Sequence, residues 1–228
     1  MDFLYYTSPV LIAAVTALSI AAYSWHRYSL ASVVVLGWGA AAIILGQLTF
    51  FDGLLVWLPS DWPYFIAFAL LAFTPAALLV VAAARSRKFK MFLENVPIRI
   101  LLLTQISRIG GIALIAAYLR GELPAHIGLI SGGIDIAVAI SAFALAYYYP
   151  KGNAPVLGVA WASVSLLDFM WAVSIVTASF LGFIAVVPAP ALMGAPPLLV
   201  ISLFALPLGI FVSIEVLRRS WTNAFRPQ

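Results

Sequence analysis

The sequence predicts an all-α polytopic membrane protein, a bundle of about seven transmembrane helices with the N-terminus outside and the C-terminus in the cytoplasm. The composition, seven long apolar stretches and the distribution of Lys and Arg support this fold class. Of the 228 residues, 64% are hydrophobic and 9% are charged, whereas a soluble domain is about half apolar and a quarter charged. We therefore expect one transmembrane domain over residues 1–228, with the bilayer as its solvent.

The seven apolar stretches each approach the length of a membrane span, which requires about 20 mostly apolar residues. They are Pro9–Trp25, Leu30–Phe50, Trp62–Ala84, Ile98–Leu119, Ala125–Tyr149, Ala154–Val187 and Pro196–Leu217. The sixth is longer than one simple span. It is expected either to tilt or to end near Phe183, ahead of a proline-containing loop.

The basic residues lie predominantly on one side of this predicted bundle. Nine of the twelve fall in the loops after the first, third and fifth stretches or in the C-terminal tail: Arg27, Arg85, Arg87, Lys88, Lys90, Lys151, Arg218, Arg219 and Arg226. The opposite side has Arg120 together with the acidic residues Asp2, Asp52, Asp61 and Glu122. The positive-inside rule places the nine-residue side in the cytoplasm. An even number of helices would distribute the basic loops over both sides, so the division also favours seven.

The segment 85–95 between the third and fourth stretches has two interpretations. Its basic residues alternate with Phe89, Met91, Phe92 and Leu93. The simpler interpretation is a cytoplasmic loop whose charges stop membrane insertion. The alternative is a short amphipathic segment that lies on the inner leaflet and attracts anionic lipid.

Ionisable residues inside the apolar stretches are the strongest functional signal. A charge at the bilayer centre costs at least ~2.5–3.5 kcal/mol, so such residues are expected to face the bundle interior and to find partners. Arg108 in the fourth stretch and Asp135 in the fifth each lie about 15 Å from the end where their stretch begins, given a rise of 1.5 Å per residue. A short turn joins these stretches, which predicts an ion pair between Arg108 and Asp135 near the midplane.

Further polar residues are expected at about the same depth. Asp168 lies in the middle of the sixth stretch, and Ser165 and Trp161 share its helical face. We predict one polar core, a substrate or proton site, that contains Arg108, Asp135, Asp168, Gln105, Gln47, Ser131, Ser165 and Trp161.

This predicted core supports either a functional or a structural role. One Arg and two ionised Asp leave a net charge of −1, and two carboxylates in one dry site do not both ionise easily. A carboxylate that exchanges a proton beside an Arg resembles the machinery of proton-coupled transport. Alternatively, the planar guanidinium binds both carboxylates and clasps three helices together. Glycines at 110–111 and at 128, 132 and 133 favour close approach of the two stretches, or leave room for a ligand.

Several chemistries are excluded by residue type and position. The chain has no cysteine, so disulfides, thiolate catalysis and iron–sulfur clusters are excluded. All three lysines lie in predicted loops, which excludes a retinal Schiff base. His26 and His126 lie at opposite ends of the bundle, which excludes a haem held by two histidines and a multi-histidine metal site. We expect no cofactor and no nucleic-acid partner, since the basic residues serve as topological anchors.

A resemblance to a known group of proteins rests on four short segments: Gln105–Gly110, Gly121–Pro124, Gly132–Asp135 and Leu166–Asp168. Together they resemble a family of small uncharacterised bacterial membrane proteins, over about a third of the chain. The resemblance implies a bacterial inner-membrane location and suggests that these polar positions belong together. It transfers no activity.

Three functional hypotheses follow from these residues. The leading one is a small transporter or channel-like protein, with or without coupling to protons, whose midplane site binds a small solute or a proton. The second is a non-catalytic membrane subunit, or a receptor for a small molecule or lipid, with a structural polar core. The third is an intramembrane enzyme that acts on a lipid-like substrate through the two Asp residues, and the sequence favours a non-enzymatic role over it. Membrane lipid is an expected partner, and a homo-oligomer or a membrane partner protein is compatible with each.

Overall fold

The protein is an all-helical bundle in a computed structural model that describes residues 3–47, 61–149 and 154–225. Within these ranges there is no strand, and seven helices are long and apolar enough to cross a membrane, which confirms the predicted fold class. The helices are α1 Phe3–Ser24, α2 Ser29–Gln47, α3 Asp61–Arg85, α4 Arg87–Asn95, α5 Ile98–Leu119, α6 His126–Tyr148, α7 Ala154–Phe180 and α8 Ile201–Phe225. The spans are all of these except α4.

The helix bounds differ from the predicted stretches mainly in the last two spans. Helix α7 ends at Phe180, so the predicted extension to Val187 is wrong and the alternative of an earlier end is correct. Helix α8 continues beyond Leu217 to Phe225, because Arg218 and Arg219 pair within the helix with Glu215. The predicted stretch end at Phe50 and the loop charges Asp2, Asp52, Lys151 and Arg226 lie outside the described residues.

Contacts between distant residues identify the two ends of the bundle. At one end, Arg219 of α8 donates from Nη1 to the carbonyl oxygen of Val96, 2.7 Å away, just ahead of α5. At the other end, the Arg120 guanidinium lies 4.8 Å from the ring centroid of Tyr5. We call these the basic end and the opposite end. The assignment of the basic end to the cytoplasm stays a prediction.

Residues 87–95 form the helix α4, so this segment is an amphipathic helix and not an irregular loop. Leu93 is buried and Phe89 and Phe92 are half-buried, whereas Met91 and the basic residues, such as Lys90, are exposed. The helix lies at the basic end, where Ser86 caps its N-terminus by accepting a hydrogen bond from the Phe89 amide.

Helices α5 and α8 form the centre of the bundle. In each of them 61% of the most apolar window is buried, against 39% or less for every other span. Large apolar side chains cover the outside, and Leu70, Leu78 and Leu167 are each more than half exposed. A surface of this kind is unfavourable in water but suits contact with lipid chains.

A proline explains one local irregularity of α8. Pro207 lacks an N–H and its ring disfavours a normal turn, so the carbonyl of Leu203 loses its usual helical partner. The indole Nε1 of Trp38 donates to that carbonyl over 2.8 Å and satisfies it. The preceding residues, Ile201–Ala205, are wound as a π-helix. This hydrogen bond links α2 to α8, which matters because an unpaired carbonyl is costly in lipid.

Helices α5 and α6 approach each other backbone to backbone at two glycines. A Cβ atom added to Gly111 would overlap the carbonyl oxygen of Gly132 and would lie 2.8 Å from the Cβ of Asp135. A Cβ atom at Gly132 would lie 2.8 Å from the carbonyl oxygen of Gly111. The glycines thus permit the close packing of α5 and α6.

The variant Gly111→Ala is therefore expected to destabilise the protein by about 1–3 kcal/mol, the usual cost of overpacking, because backbone atoms cannot move aside as a flexible side chain can. Thermal unfolding in detergent is the measurement. Gly133→Ala is the matched control, since a Cβ atom there meets nothing within 4 Å. Equal stability of the two variants would contradict the proposed role of the close contact.

Candidate functional site

The guanidinium of Arg108 is the centre of a buried ionic cluster in the middle of the bundle. Its Nε lies 2.6 Å from Oδ1 of Asp135 in α6, and this is the predicted ion pair. Its Nη2 pairs with Oδ2 of Asp168 in α7, and its Nη1 donates to Oγ of Ser165. The Arg108 side chain is 1% exposed. One cation is thus bound to two carboxylates and a hydroxyl from two neighbouring helices.

Hydroxyl groups extend the cluster. Ser131 of α6 donates to Oδ1 of Asp168 over 2.9 Å. Oγ of Ser165 lies 2.7 Å from Oγ of Ser213, which brings α8 into the network. Five of the predicted residues therefore meet in one hydrogen-bonded cluster, which we call the Arg108 cluster: Arg108, Asp135, Asp168, Ser131 and Ser165.

Two further predicted residues lie beside the cluster without bonding to it. Trp161 is buried, and its Nε1 donates to the carbonyl of Val138 over 3.2 Å, which ties α7 to α6. Gln105 is fully buried one turn from Arg108, and neither of its amide atoms has a hydrogen-bond partner among the described residues.

Gln47 does not join the other predicted residues, so its assignment to the polar core is not supported. It is the last residue of α2, and its side chain is exposed. Among the described residues, helix α2 packs mainly against α1 and the first turn of α8. Its position at the end of a helix also places it away from the mid-depth of the cluster.

Three residues around the cluster were not predicted from the sequence. Ser213 hydrogen-bonds Ser165, and the Phe169 ring centroid lies 4.1 Å from the Arg108 guanidinium carbon in a cation–π contact. Gly209 makes room for that ring, because an added Cβ would lie 2.5 Å from Cζ of Phe169. A lone Ser and a Gly in an apolar stretch give no sign of these contacts, although Phe169 is next to Asp168 in the chain.

Departures from α-helical winding occur where the cluster is built. Arg108 lies within a 3₁₀ segment, Gln105–Gly110, in the middle of α5. Ser131 ends a π-helical segment, His126–Ser131, at the start of α6. Such segments change the direction in which side chains point, and they are frequent at functional sites.

The two carboxylates of the cluster differ in their surroundings. Asp168 accepts from both Arg108 and Ser131, and its side chain is 3% exposed. Asp135 accepts from Arg108 alone among the described residues, and its side chain is 14% exposed. With all three groups ionised the net charge is −1. Asp135, with fewer hydrogen bonds and more access, is the better position for a compensating proton or small cation.

A cavity of about 80 Å³ adjoins the cluster. Arg108, Asp135 and Asp168 line one part of it, and the walls further along include Val176 and Thr177 of α7 and Ser202 of α8. These wall residues place the cavity between the cluster and the opposite end of the bundle. Its volume is sufficient for a few water molecules or a very small solute.

The described part of the chain contains no group of three or more His, Asp or Glu residues that could hold a metal ion. No protein-family model matches the chain, and no curated protein or solved structure is significantly similar to it. The chain is therefore defined by its architecture, as a multi-pass helical membrane protein with a buried Arg–Asp cluster. The resemblance on four short segments stays an expectation.

Replacement of Arg108 by Met is expected to destabilise the protein by about 3–5 kcal/mol, since it leaves two buried carboxylates without their cation. Arg108→Lys is expected to recover only part of this loss, because an ammonium group lacks the planar guanidinium N–H groups that bind Asp135, Ser165 and Asp168 together. Unfolding in detergent is the measurement, and Arg99→Met is the control because Arg99 is exposed on the same helix. A stability loss in Arg108→Met no larger than in Arg99→Met would show that the cluster does not hold the helices together.

Proposed function

We propose that the protein is a small transporter that moves a proton, alone or with a small solute, through the Arg108 cluster. The observation that carries this proposal is the cavity that leads from the direction of the opposite end to a partly accessible carboxylate, Asp135, at mid-depth. Ionisable residues inside a membrane span are costly, and they mark ion and proton pathways more often than other positions.

Where α5, α6, α7 and α8 continue from the cluster toward the basic end, side chains pack between these four helices. Leu102, Ala142, Ala162 and Val216, from four different helices, are each fully buried there. A site with access from one end and a packed barrier toward the other is what one state of an alternating-access transporter requires. The geometry supports a gated transporter better than a continuously open channel.

The bonding of Arg108 bears on which solute is bound. Its guanidinium already binds two carboxylates and a hydroxyl, so an anionic solute would have to displace a carboxylate. The excess negative charge of the cluster favours a proton or a small cationic or neutral polar solute instead. A location in a bacterial inner membrane is part of this proposal and rests on the resemblance of the four short segments, whereas the cytoplasmic position of the basic end rests on the charge distribution of the loops.

A structural role for the cluster is the second candidate, favoured by the number of helices that Arg108 connects. The two roles make different demands on Asp135. Asp135→Asn leaves one positive and one negative charge, Arg108 and Asp168, and an amide oxygen can still accept from the guanidinium. A structural clasp therefore tolerates this change, whereas proton transfer through Asp135 does not.

Proton flux into proteoliposomes, measured with an entrapped pH-sensitive dye under an imposed membrane potential, is the first test. We expect the wild-type protein to exceed empty liposomes, and Asp135→Asn to fall to the empty-liposome level while it remains folded. Glu94→Gln is the control, since that carboxylate lies on α4 away from the cavity. Wild-type flux equal to that of empty liposomes, or unchanged flux in Asp135→Asn, would contradict proton transfer through this residue.

Obstruction of the cavity provides a second test that leaves every charge in place. Ala172→Phe adds a ring to the cavity wall of α7 and is expected to reduce flux at least tenfold. Ala160→Phe adds the same ring at an exposed position of α7 that lines neither described cavity, and it should retain flux. Comparison of melting temperatures separates obstruction from misfolding, and equal flux in the two variants would argue against this cavity as the pathway.

A further inference from the structure

A second and larger cavity, of about 700 Å³, lies in the basic half of the bundle. Helices α1 to α6 and α8 contribute to its lining, and its wall is largely apolar and aromatic: Tyr23, Tyr28, Trp38, Leu79, Phe89 and Phe211. Its volume lies within the range of about 300–1,000 Å³ that is typical of ligand sites. Protein interiors are otherwise closely packed, so a space of this size is a candidate ligand site.

The amphipathic helix α4 forms one side of this cavity and is held firmly in place. Phe89, Phe92 and Leu93 face the cavity, and the ring of Tyr28 lies 5.3 Å from that of Phe92. At the C-terminal end of α4, Arg219 donates to the carbonyl oxygens of Leu93 and Val96. This bonding fixes α4 against α8.

Three arginines lie beside residues that line the cavity at the basic end. Arg85 and Arg87 are exposed on either side of Ser86, which lines the cavity. From the facing side, Arg27 lies with its guanidinium carbon 4.3 Å from the ring centroid of Tyr23, another lining residue. The nearby acidic residue Glu94 is 4.0 Å from Lys90, which leaves the three arginines with excess positive charge.

We propose that this cavity binds one anionic phospholipid of the surrounding leaflet, with an acyl chain among the aromatic side chains and the phosphate near Arg27, Arg85 and Arg87. An acyl chain gains little by leaving lipid for an apolar protein wall, so selectivity comes from the headgroup. Each basic residue near the membrane surface contributes roughly a fivefold gain in affinity for anionic lipid. This proposal is independent of the transport proposal, because it concerns other residues and another cavity.

Native mass spectrometry of the delipidated protein, with dioleoyl phosphatidylglycerol or dioleoyl phosphatidylcholine added, is the test. We expect one retained phosphatidylglycerol per chain, bound at least tenfold more tightly than phosphatidylcholine. The double variant Arg27→Gln and Arg87→Gln should lower the affinity for phosphatidylglycerol by roughly 25-fold. Arg218→Gln removes a charge at the same end that is already paired with Glu215, so it should retain the preference.

Filling the cavity tests where the lipid lies. Ala31→Trp and Ala82→Trp each place an indole in the cavity from a different helix and should abolish retention, whereas Ala137→Trp, exposed on α6, should not. Equal binding of the two lipids, or retention of lipid in both cavity variants, would overturn the proposal. So would a bound molecule with a mass other than that of a phospholipid, such as an amphiphile whose polar group bonds the unpartnered hydroxyl of Thr16 deep in the cavity.

Discussion

The burial of one guanidinium in the middle of a membrane bundle is the constraint on which the packing of four helices depends. Arg108 cannot obtain hydrogen bonds from lipid, so its N–H groups need partners from the protein. Carboxylates from α6 and α7 supply them, with a hydroxyl of α7 that is bonded in turn to α8. These helices must therefore meet at one depth, and the facing glycines of α5 and α6 allow the approach that this geometry requires.

The same cluster has more negative than positive groups, since one guanidinium is bonded to two carboxylates. Of the two carboxylates, Asp135 has a single hydrogen-bond partner among the described residues and borders a cavity. Buried residues of α5 to α8 pack on the side of the basic end, and the cavity lined by Asp135 lies on the other side. The proposal of a proton-binding site rests on this excess charge and on the cavity beside Asp135.

Helix α8 contacts helix α2, the Arg108 cluster and helix α4 at three points along its length. Near its beginning, the carbonyl freed by Pro207 binds Trp38 of α2. In its middle, Gly209 accommodates the aromatic ring that covers Arg108. Near its end, Arg219 holds the amphipathic helix α4. The ionic cluster and the larger aromatic cavity therefore share one central helix, although their chemistries differ.

The sequence by itself determined the number of spans, the two ends of the bundle and the pairing of Arg108 with Asp135. The length of each apolar stretch, the charge of each loop and the depth of a residue in its helix all follow from the order of residues alone, because the rise per residue is fixed. Only the tertiary structure decided that Ser213 and Phe169 join the cluster, that Gln47 lies outside it, and that α4 borders a cavity. The physical reason is that a membrane-spanning helix is apolar on all sides. Its sequence therefore has no amphipathic pattern that would indicate which face packs against which neighbouring helix. Contacts between helices distant in the chain, and the cavities they leave, are therefore set by packing that the sequence pattern does not record.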